Sequence, residues 1–258
     1  MTEQAGYVQV EETAPHVSTV TFFHPAHNAM PSHLLAALAQ AINTLGQDPA
    51  VRIIVLKSGG DRTFCAGASF DELLQINDAG SGEAFFSGFA DVINACRRCP
   101  KLIIGRVQGK AIGGGVGLAA ATDYCVATKY AAVKLSELAI GIGPFVVGPV
   151  IERKIGLAAF SHLTLAPTTF ASPVWAREKG LFNEVFETAE AMDEAIQVKA
   201  AQMATYNPAA LEAMKRAFWH GTDHWDILLA ERARTSGELV LSDFTRSALE
   251  AFKEGSRS

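Results

Sequence analysis

The feature that most constrains this chain is a glycine-rich turn near its middle. An apolar run at residues 102–107 is typical of a buried strand, and an alanine-rich segment after Gly113-Gly114-Gly115 is typical of a helix. Glycines at a helix start leave backbone N–H groups open and lie at the positive end of the helix dipole. The turn therefore predicts a site for negative charge, which is either the phosphate of a ligand or an oxyanion formed during a reaction.

Length and composition limit the class of protein. The chain has 258 residues, of which 49% are hydrophobic, so we expect one large domain, or one domain with an appendage, around a sizeable core. A formal net charge of −5 without a basic stripe argues against nucleic-acid binding. No apolar run is long enough to cross a membrane and residues 1–12 do not resemble a secretory signal, so we expect a cytoplasmic protein without a membrane partner.

The order of predicted elements indicates an α/β protein. Strands and helices follow a β-β-α order in the first part of the chain, with a helix starting after Ser69, a flexible patch at residues 77–82 and a helix over residues 83–99. From residue 149 the pattern is helical apart from a short strand at residues 183–186. The predicted late helices span residues 189–204, 208–218, 224–240 and 243–253.

The cysteines do not predict a metal or redox site. Cys96-Arg97-Arg98-Cys99 is formally a CxxC motif, but no second pair or suitably spaced histidine accompanies it. The motif precedes Pro100, where a helix should end rather than begin. We therefore expect two free thiols at a helix end, and no metal.

A phosphate-binding turn is one alternative for the glycine stretch. Gly115-x-Gly117-x-x-Ala120 fits a dinucleotide fingerprint at a helix start, and Glu137 follows about twenty residues later, where a ribose-binding acid is expected. However, the turn lies in the middle of the chain, which leaves about a hundred preceding residues without a role. A dinucleotide-binding enzyme stays open as a distant alternative.

An oxyanion site explains more of the sequence. Ala66-Gly67-Ala68 and Gly113-Gly114-Gly115 are two separate strand-to-helix junctions made of small residues. Each can direct one backbone N–H into a shared cleft, and two converging donors are what a developing carbonyl oxyanion needs. The loss of one such donor typically costs ~3–4 kcal/mol of transition-state stabilisation.

These junctions carry a family resemblance. The motifs that carry it are, in order, Phe64-Cys65-Ala66-Gly67-Ala68, Gly109-Lys110-Ala111-Ile112-Gly113-Gly114-Gly115 and Ser136-Glu137-Leu138. With the loop from Pro25 to Met30 and the ending Ala251-Phe252-Lys253, the chain resembles the enoyl-CoA hydratase/isomerase (crotonase) family over nearly its whole length. The resemblance implies a spiral of β-β-α repeats over residues 1–192. It also implies a helical C-terminal region, residues 193–258, that builds homotrimers, commonly paired into hexamers.

The late helices give a separate indication of assembly. Phe244, Leu249 and Phe252 are apolar residues that look exposed in these helices. Exposed apolar residues of this kind often indicate an oligomer interface.

The resemblance also implies site residues. The oxygen of an acyl-CoA thioester would be held by the N–H groups of Ala68 and Gly114, and Glu137 matches a catalytic glutamate. Coenzyme A, which arrives as part of the substrate rather than as a bound cofactor, would run along one loop and the backbone beside it. The predicted substrate-binding residues are Ala26, His27, Asn28, Phe64, Ala66, Gly113, Gly117 and Lys253.

One departure from the family pattern affects the predicted reaction. The position of the other catalytic glutamate of hydratases is occupied by Gly117, whereas Glu137 lies among apolar neighbours that should raise its pKa. A single acid/base can move a proton along a carbon chain, so double-bond isomerisation is slightly preferred over hydration. Hydration with one glutamate, decarboxylation, thioester cleavage and a catalytically weak CoA-ester-binding protein remain alternatives. Phe85, Phe86, Phe89 and Phe145 fit either an acyl pocket or ordinary core packing.

Overall fold

The computed structural model describes the backbone of residues 6–255 and the side chains of residues 6–251. Its strands are β1 (Tyr7–Ala14), β2 (Val17–Phe23), β3 (Ile53–Ser58), β4 (Thr63–Cys65), β5 (Leu102–Val107), β6 (Lys110–Ile112), β7 (Tyr124–Thr128), β8 (Val133–Lys134) and β9 (Glu184–Phe186). Its α-helices are α1 (Ser32–Gln47), α2 (Phe70–Leu73), α3 (Ala79–Arg98), α4 (Gly114–Ala120), α5 (Gly148–Leu165), α6 (Pro173–Glu178), α7 (Ala189–Ala204), α8 (Pro208–Phe218), α9 (Trp225–Leu239) and α10 (Asp243–Gly255). A 3₁₀ turn spans Glu137–Ile140.

The strands form two sheets that are linked by a repeated connection. The larger sheet has the order β1-β2-β3-β5-β7-β9, and the smaller sheet has the order β4-β6-β8. All neighbouring strands are parallel except β1 and β2. In the pairs β3–β4, β5–β6 and β7–β8, the first strand joins the larger sheet and the second joins the smaller one. The predicted α/β spiral of β-β-α repeats is therefore confirmed.

The larger sheet is covered on both faces because successive apolar side chains of its strands point to opposite faces. In β3, Ile54 and Leu56 belong to the core formed with α1 and α3, whereas Ile53 and Val55 pack with residues of α7. All four side chains are nearly inaccessible to solvent. Full burial of one such side chain contributes roughly 1.5–3 kcal/mol, so this double layer stabilises the framework on which the loops are mounted.

Helix α9 lies directly against α3 at a pair of glycines. A Cβ atom on Gly82 would stand 2.7 Å from the carbonyl oxygen of Gly237, so neither helix could approach as closely with a larger residue. The flexible patch predicted at residues 77–82 is wrong, because α3 begins at Ala79. The side chain of Asp78 caps this helix by accepting a hydrogen bond of 2.8 Å from the backbone N–H of Ser81.

The sequence also predicts two helices, over residues 150–155 and 158–165, separated at Gly156. This is confirmed, because α5 is interrupted at Gly156, whose φ of +77° and ψ of 159° are not helical. Other local predictions need correction. The predicted glycine turn includes a short strand, β6, before the helix begins. Phe244 is exposed as expected, but Leu249 is buried in a cluster with Leu73 and Phe85. The side chain of Phe252 lies outside the described residues.

Candidate functional site

The smaller sheet brings three loops together. Because β4, β6 and β8 are parallel neighbours, the segments that follow them leave the same edge of the sheet. These segments contain Ala66-Gly67-Ala68, Gly113-Gly114 and Ser136-Glu137, and all seven residues line one cavity of about 70 Å³. The two junctions and the glutamate that the sequence singled out therefore meet in one place.

The rest of the cavity wall is apolar with one exception. Its apolar members are Phe70, Leu73, Phe86, Phe89, Ile140, Gly143, Pro144, Phe145, Val146 and Val147. The exception is Ser236, on α9. Of the four phenylalanines considered for an acyl pocket, Phe86, Phe89 and Phe145 line the cavity, whereas Phe85 packs in the core behind it.

The first junction leaves one backbone donor free. The N–H of Met30 donates to the carbonyl of Gly67, and the N–H of Ser69 donates to the carbonyl of Met30, so the two residues around Ala68 are held by backbone bonds. The Ala68 N–H between them has no acceptor in the described part of the chain. Ser69 caps α2, at the helix start that the sequence predicted, because its hydroxyl oxygen accepts a hydrogen bond from the N–H of Glu72.

The second junction lies against the first. Gly67 has a φ of +91°, and a Cβ there would stand 2.9 Å from the carbonyl oxygen of Ile112 and 3.4 Å from the nitrogen of Gly114. Gly114 is the first residue of α4, where a backbone N–H has no acceptor within its own helix. Phe89 covers the Cα of Gly114 so closely that any Cβ would overlap its ring. Ala68 and Gly114 therefore present two backbone donors from adjoining loops.

The carboxyl group of Glu137 has an unusual environment. The residue as a whole is only half-buried, but its carboxylate is enclosed, and the Oε2 oxygen has no hydrogen-bond partner within the described residues. Burial raises the pKa of this carboxyl group to about 7. A Cβ on Gly113 would stand 3.0 Å from Oε1, so the carboxylate lies beside the glycine that precedes the Gly114 donor.

Gly117 has no free space beside it. It lies buried within α4, and a Cβ at this position would stand 2.7 Å from the Cβ of Val147. Val147 itself lines the cavity. An apolar side chain thus occupies the space next to the position where the resemblance led us to look for a second acid.

The loop expected to guide coenzyme A lies next to the first junction. Ala26 and His27 are exposed, and the backbone N–H of Ala66 donates to the carbonyl of His27 at 3.2 Å. Asn28 is buried, and its side-chain amide donates to the carbonyls of Gly59 and Thr63, both at 2.8 Å. The Asn28 side chain therefore holds the loop rather than facing the cavity.

One further predicted residue lies away from the cavity lining. Phe64 is fully buried and packs edge-to-face against Phe22, with 5.5 Å between the ring centres. Lys253 belongs to α10, but its side chain falls outside the described residues. Gly117, as described above, also does not line the cavity.

The sequence alone did not reveal Val147 or Ser236 as cavity residues. Val147 lies ten residues after Glu137 in a segment without a motif, and Ser236 lies in a helix predicted only from its periodicity. The residue next to Ser236, Gly237, makes a close helix contact that indicates where this part of α9 lies. The contact could not be predicted from the sequence, because its partner, Gly82, is distant in sequence.

The dinucleotide alternative finds no support in this geometry. A Cβ on Gly115 would stand 2.5 Å from the carbonyl oxygen of Cys65, and Gly117 is closed off by Val147. Both glycines therefore serve close packing of protein against protein, and neither leaves a surface for a pyrophosphate.

Cys96 and Cys99 are buried free thiols at the end of a helix, as the sequence predicted. Cys96 lies in the last turns of α3 and Cys99 just follows it, and burial raises the pKa of both thiols, that of Cys96 to about 12. Among the described residues, no group of three or more His, Cys, Asp or Glu side chains could hold a metal ion. None of the helices in that same part of the chain is both long and apolar enough to span a membrane.

Comparisons with known proteins identify relatives of this chain. Residues 12–257 match the family described as enoyl-CoA hydratase/isomerase. A short-chain-enoyl-CoA hydratase from Clostridium acetobutylicum is 28% identical over 241 residues, which cover 92% of this chain and 91% of that protein. A carboxymethylproline synthase from Pectobacterium carotovorum is 28% identical over 208 residues, which cover 80% of this chain and 82% of that protein.

The fold is also found among solved structures. The crystal structure of an enoyl-CoA hydratase from Bacillus halodurans superposes with a TM-score of 0.87 at 20% identity, covering 95% of this chain and 99% of that one. The two relatives above carry the names of different reactions, so similarity alone does not fix the chemistry. Since the family match extends over nearly the whole chain, the protein belongs to the enoyl-CoA hydratase/isomerase family.

Proposed function

We propose that this protein isomerises the double bond of an acyl-CoA thioester through an enolate. The thioester oxygen accepts hydrogen bonds from the backbone N–H groups of Ala68 and Gly114, which lie on adjoining loops and have no acceptor among the described residues. Such donors stabilise the negative charge that develops on the oxygen when the neighbouring carbon loses a proton.

Glu137 is the proton carrier in this proposal, and its environment is the observation on which the proposal depends. The ionised carboxylate removes a proton from C2 of a 3-enoyl-CoA, and the electron pair moves onto the thioester oxygen. The same carboxyl group then returns the proton to C4, which gives the 2-enoyl-CoA. A pKa of about 7 suits both steps, because a base and its conjugate acid are then both accessible near neutral pH.

The space beside Gly117 favours isomerisation over hydration. Hydration requires a group that orients and splits water in addition to Glu137. Gly117 offers no carboxylate, and Val147 fills the adjoining space with an apolar side chain. A proton shuttle needs only one acid, and this chain supplies one.

Further parts of the proposal concern coenzyme A and assembly. We place coenzyme A along Ala26, His27 and the backbone of Ala66, outside the apolar cavity, with Gly113 beside the thioester. Lys253 is proposed to reach a phosphate of coenzyme A on a neighbouring subunit. A cytoplasmic homotrimer or homohexamer, with residues 193–258 as the assembling region, stays a prediction; the boundary before residue 193 falls inside α7.

Hydration is the second candidate, because the Clostridium relative is named a hydratase. It would require Glu137 to act with water held by some other group of the cavity. A protein that binds CoA esters without turning them over is the third.

One experiment distinguishes these candidates. The protein is incubated separately with 3-pentenoyl-CoA and 2-pentenoyl-CoA, and the products are identified by chromatography and mass spectrometry. Isomerisation converts the first compound without a change in mass, whereas hydration adds one water to the second. Products with added water and no shift of the double bond would refute the preferred function. Binding without turnover would support the third candidate.

A further inference from the structure

One side chain of the cavity has no part in the proposed proton transfer. Ser236 lines the cavity and is only 1% exposed. Its hydroxyl makes no hydrogen bond within the described residues. Buried hydroxyl groups nearly always have a partner, because an unpaired one has lost its bonds to water without replacing them. The Ser236 hydroxyl therefore has a vacant hydrogen-bonding position, in a wall whose other polar side chains are those of Ser136 and Glu137.

The position of Ser236 is fixed by the framework. The neighbouring residue Gly237 packs against α3, and a Cβ on it would stand 2.5 Å from the nitrogen of Glu83. Phe86 and Phe89 follow four and seven residues after Gly82, so they share the face of α3 that α9 contacts. Ser236 is thus held beside these rings by a close helix contact rather than by a mobile loop.

Ser236 meets the substrate away from the reacting carbonyl. The two N–H donors and Glu137 belong to loops after β4, β6 and β8, whereas Ser236 belongs to α9. With the thioester oxygen on Ala68 and Gly114 and coenzyme A directed toward His27, the part of the substrate that extends toward α9 is the acyl chain. This step depends on the function proposed above.

The chemistry of the cavity specifies what the acyl chain carries. A serine hydroxyl both donates and accepts, so it suits a hydroxyl or a carbonyl group. No Lys, Arg or His side chain lines the cavity, and Glu137 does, so a second carboxylate on the substrate would find no counter-charge. At about 70 Å³ the cavity is small beside the roughly 300–1,000 Å³ of ordinary ligand pockets, which limits the length of the chain.

We propose that Ser236 is a specificity-determining residue that selects a short acyl chain bearing a neutral hydrogen-bonding group. A site that hydrogen-bonds a substrate hydroxyl discriminates strongly against an analogue that lacks it, because the polar group of the protein is then left unpaired. The alternative occupant of this position is a water molecule that takes part in the reaction.

The test compares two esters that differ by one hydroxyl, 3-pentenoyl-CoA and 5-hydroxy-3-pentenoyl-CoA. The wild-type protein is expected to have a kcat/KM about ten-fold or more higher for the hydroxylated ester. Ser236→Ala should lower this ratio by about the same factor. The ratio is unaffected by any fraction of inactive protein, so imperfect folding of the variant does not obscure the result.

Thr235→Ala is the matched control. Thr235 is the preceding residue of α9, but its hydroxyl donates to the carbonyl of Glu231 at 3.0 Å and it does not line the cavity. This variant should keep the wild-type ratio. A wild-type ratio near one would overturn the proposal, and so would an equal loss for both esters in Ser236→Ala, which is the result expected if the serine held a reacting water.

Binding measurements separate this proposal from the proposed function. Calorimetric Kd values for both esters are measured with the wild type and Ser236→Ala. If neither ester is turned over but the hydroxylated one still binds about ten-fold more tightly in a Ser236-dependent way, the isomerase function is wrong and the specificity role stands. Equal Kd values for both esters would refute the specificity role, whatever the turnover.

Discussion

Two enclosed carboxylates of this molecule have opposite surroundings. Asp123, just before β7, has a side chain that is 3% exposed, and its oxygens accept hydrogen bonds from the Lys215 ammonium at 2.6 Å, the Ile103 N–H at 2.7 Å and the Trp219 indole at 2.8 Å. Glu137 is also enclosed, but its Oε2 has no partner in the described part of the chain, and burial raises its pKa to about 7.

The difference distinguishes an acid with a structural role from the acid that we propose transfers the proton. The Asp123 carboxylate is held by donors from β5, from α8 and from Trp219 just after it, so it connects the C-terminal helices to the larger sheet. The Oε2 oxygen of Glu137 has no donor among the described residues, although an unpartnered buried polar group is costly. In a cavity that also contains two free backbone N–H groups, this cost is consistent with the proton-transfer role that we propose.

The largest expected effect comes from replacing Glu137, the acid that we propose transfers the proton. Glu137→Gln keeps the shape of the side chain but cannot take up a proton, so kcat for isomerisation should fall by roughly 10²–10⁴. The loss is measured with 3-pentenoyl-CoA under saturating conditions. Retention of full activity would remove Glu137 from the mechanism, and Ser136→Ala, at the adjacent position, controls for local disturbance.

The second effect is a loss of stability when Asp123, the acid with the structural role, is replaced. Asp123→Asn leaves the Lys215 ammonium, whose side chain is 2% exposed, without its counter-charge, and breaking a buried pair in this way typically costs roughly 3–5 kcal/mol. Urea unfolding of the variant should show this loss in the free energy of unfolding. Glu137→Gln is the comparison and should not lose stability at pH 8. A similar loss in both variants would mean that the two acids do not differ in role.

The third prediction compares how the stability of the wild type and of Glu137→Gln depends on pH. The folded-state pKa of Glu137 is raised, so the folded protein keeps a proton that the unfolded chain loses between about pH 4.5 and 7. Its contribution to stability is therefore full below pH 4.5 and is lost as pH rises through about 7. The size is on the order of 3 kcal/mol. Relative to Glu137→Gln, the wild type should lose stability by this amount between pH 4.5 and 8, and parallel pH curves for the two proteins would contradict the raised pKa.

The smallest effect concerns the space beside Gly117. A Cβ at this position would overlap Val147, so Gly117→Ala should lower the free energy of unfolding by roughly 1–3 kcal/mol. Val147→Ala makes room, and the double variant should recover part of the loss, with a coupling of about 1 kcal/mol in urea unfolding. Purely additive effects would show that Val147 does not fill the position.

The sequence predicted those parts of the site that are local. The two junctions, the cap at Ser69 and the acid at Glu137 lie in short motifs whose chemistry can be read directly, and α7 and α8 have the predicted bounds. The patch at residues 77–82 was mispredicted because Gly80 and Gly82 disfavour a helix, whereas the contact of Gly82 with Gly237 requires one.

The parts that could not be predicted depend on distant residues. Asp123 is separated from Lys215 by 92 positions and from Trp219 by 96, and no local pattern links them. The same holds for Val147 beside Gly117 and for Ser236 in the cavity. The sequence thus indicated which chemical groups are present, while the fold determines which of them are left without a partner.

The most direct test of the central claim is the pH dependence of kcat/KM for 3-pentenoyl-CoA. In the proposed mechanism the carboxylate form of Glu137 removes the proton, so the rate should rise with pH and level off above an apparent pKa of about 7. The residual rate of Glu137→Gln should show no inflection there. An inflection at the ordinary glutamate pKa of about 4.3, or one near 7 that persists in Glu137→Gln, would contradict the account.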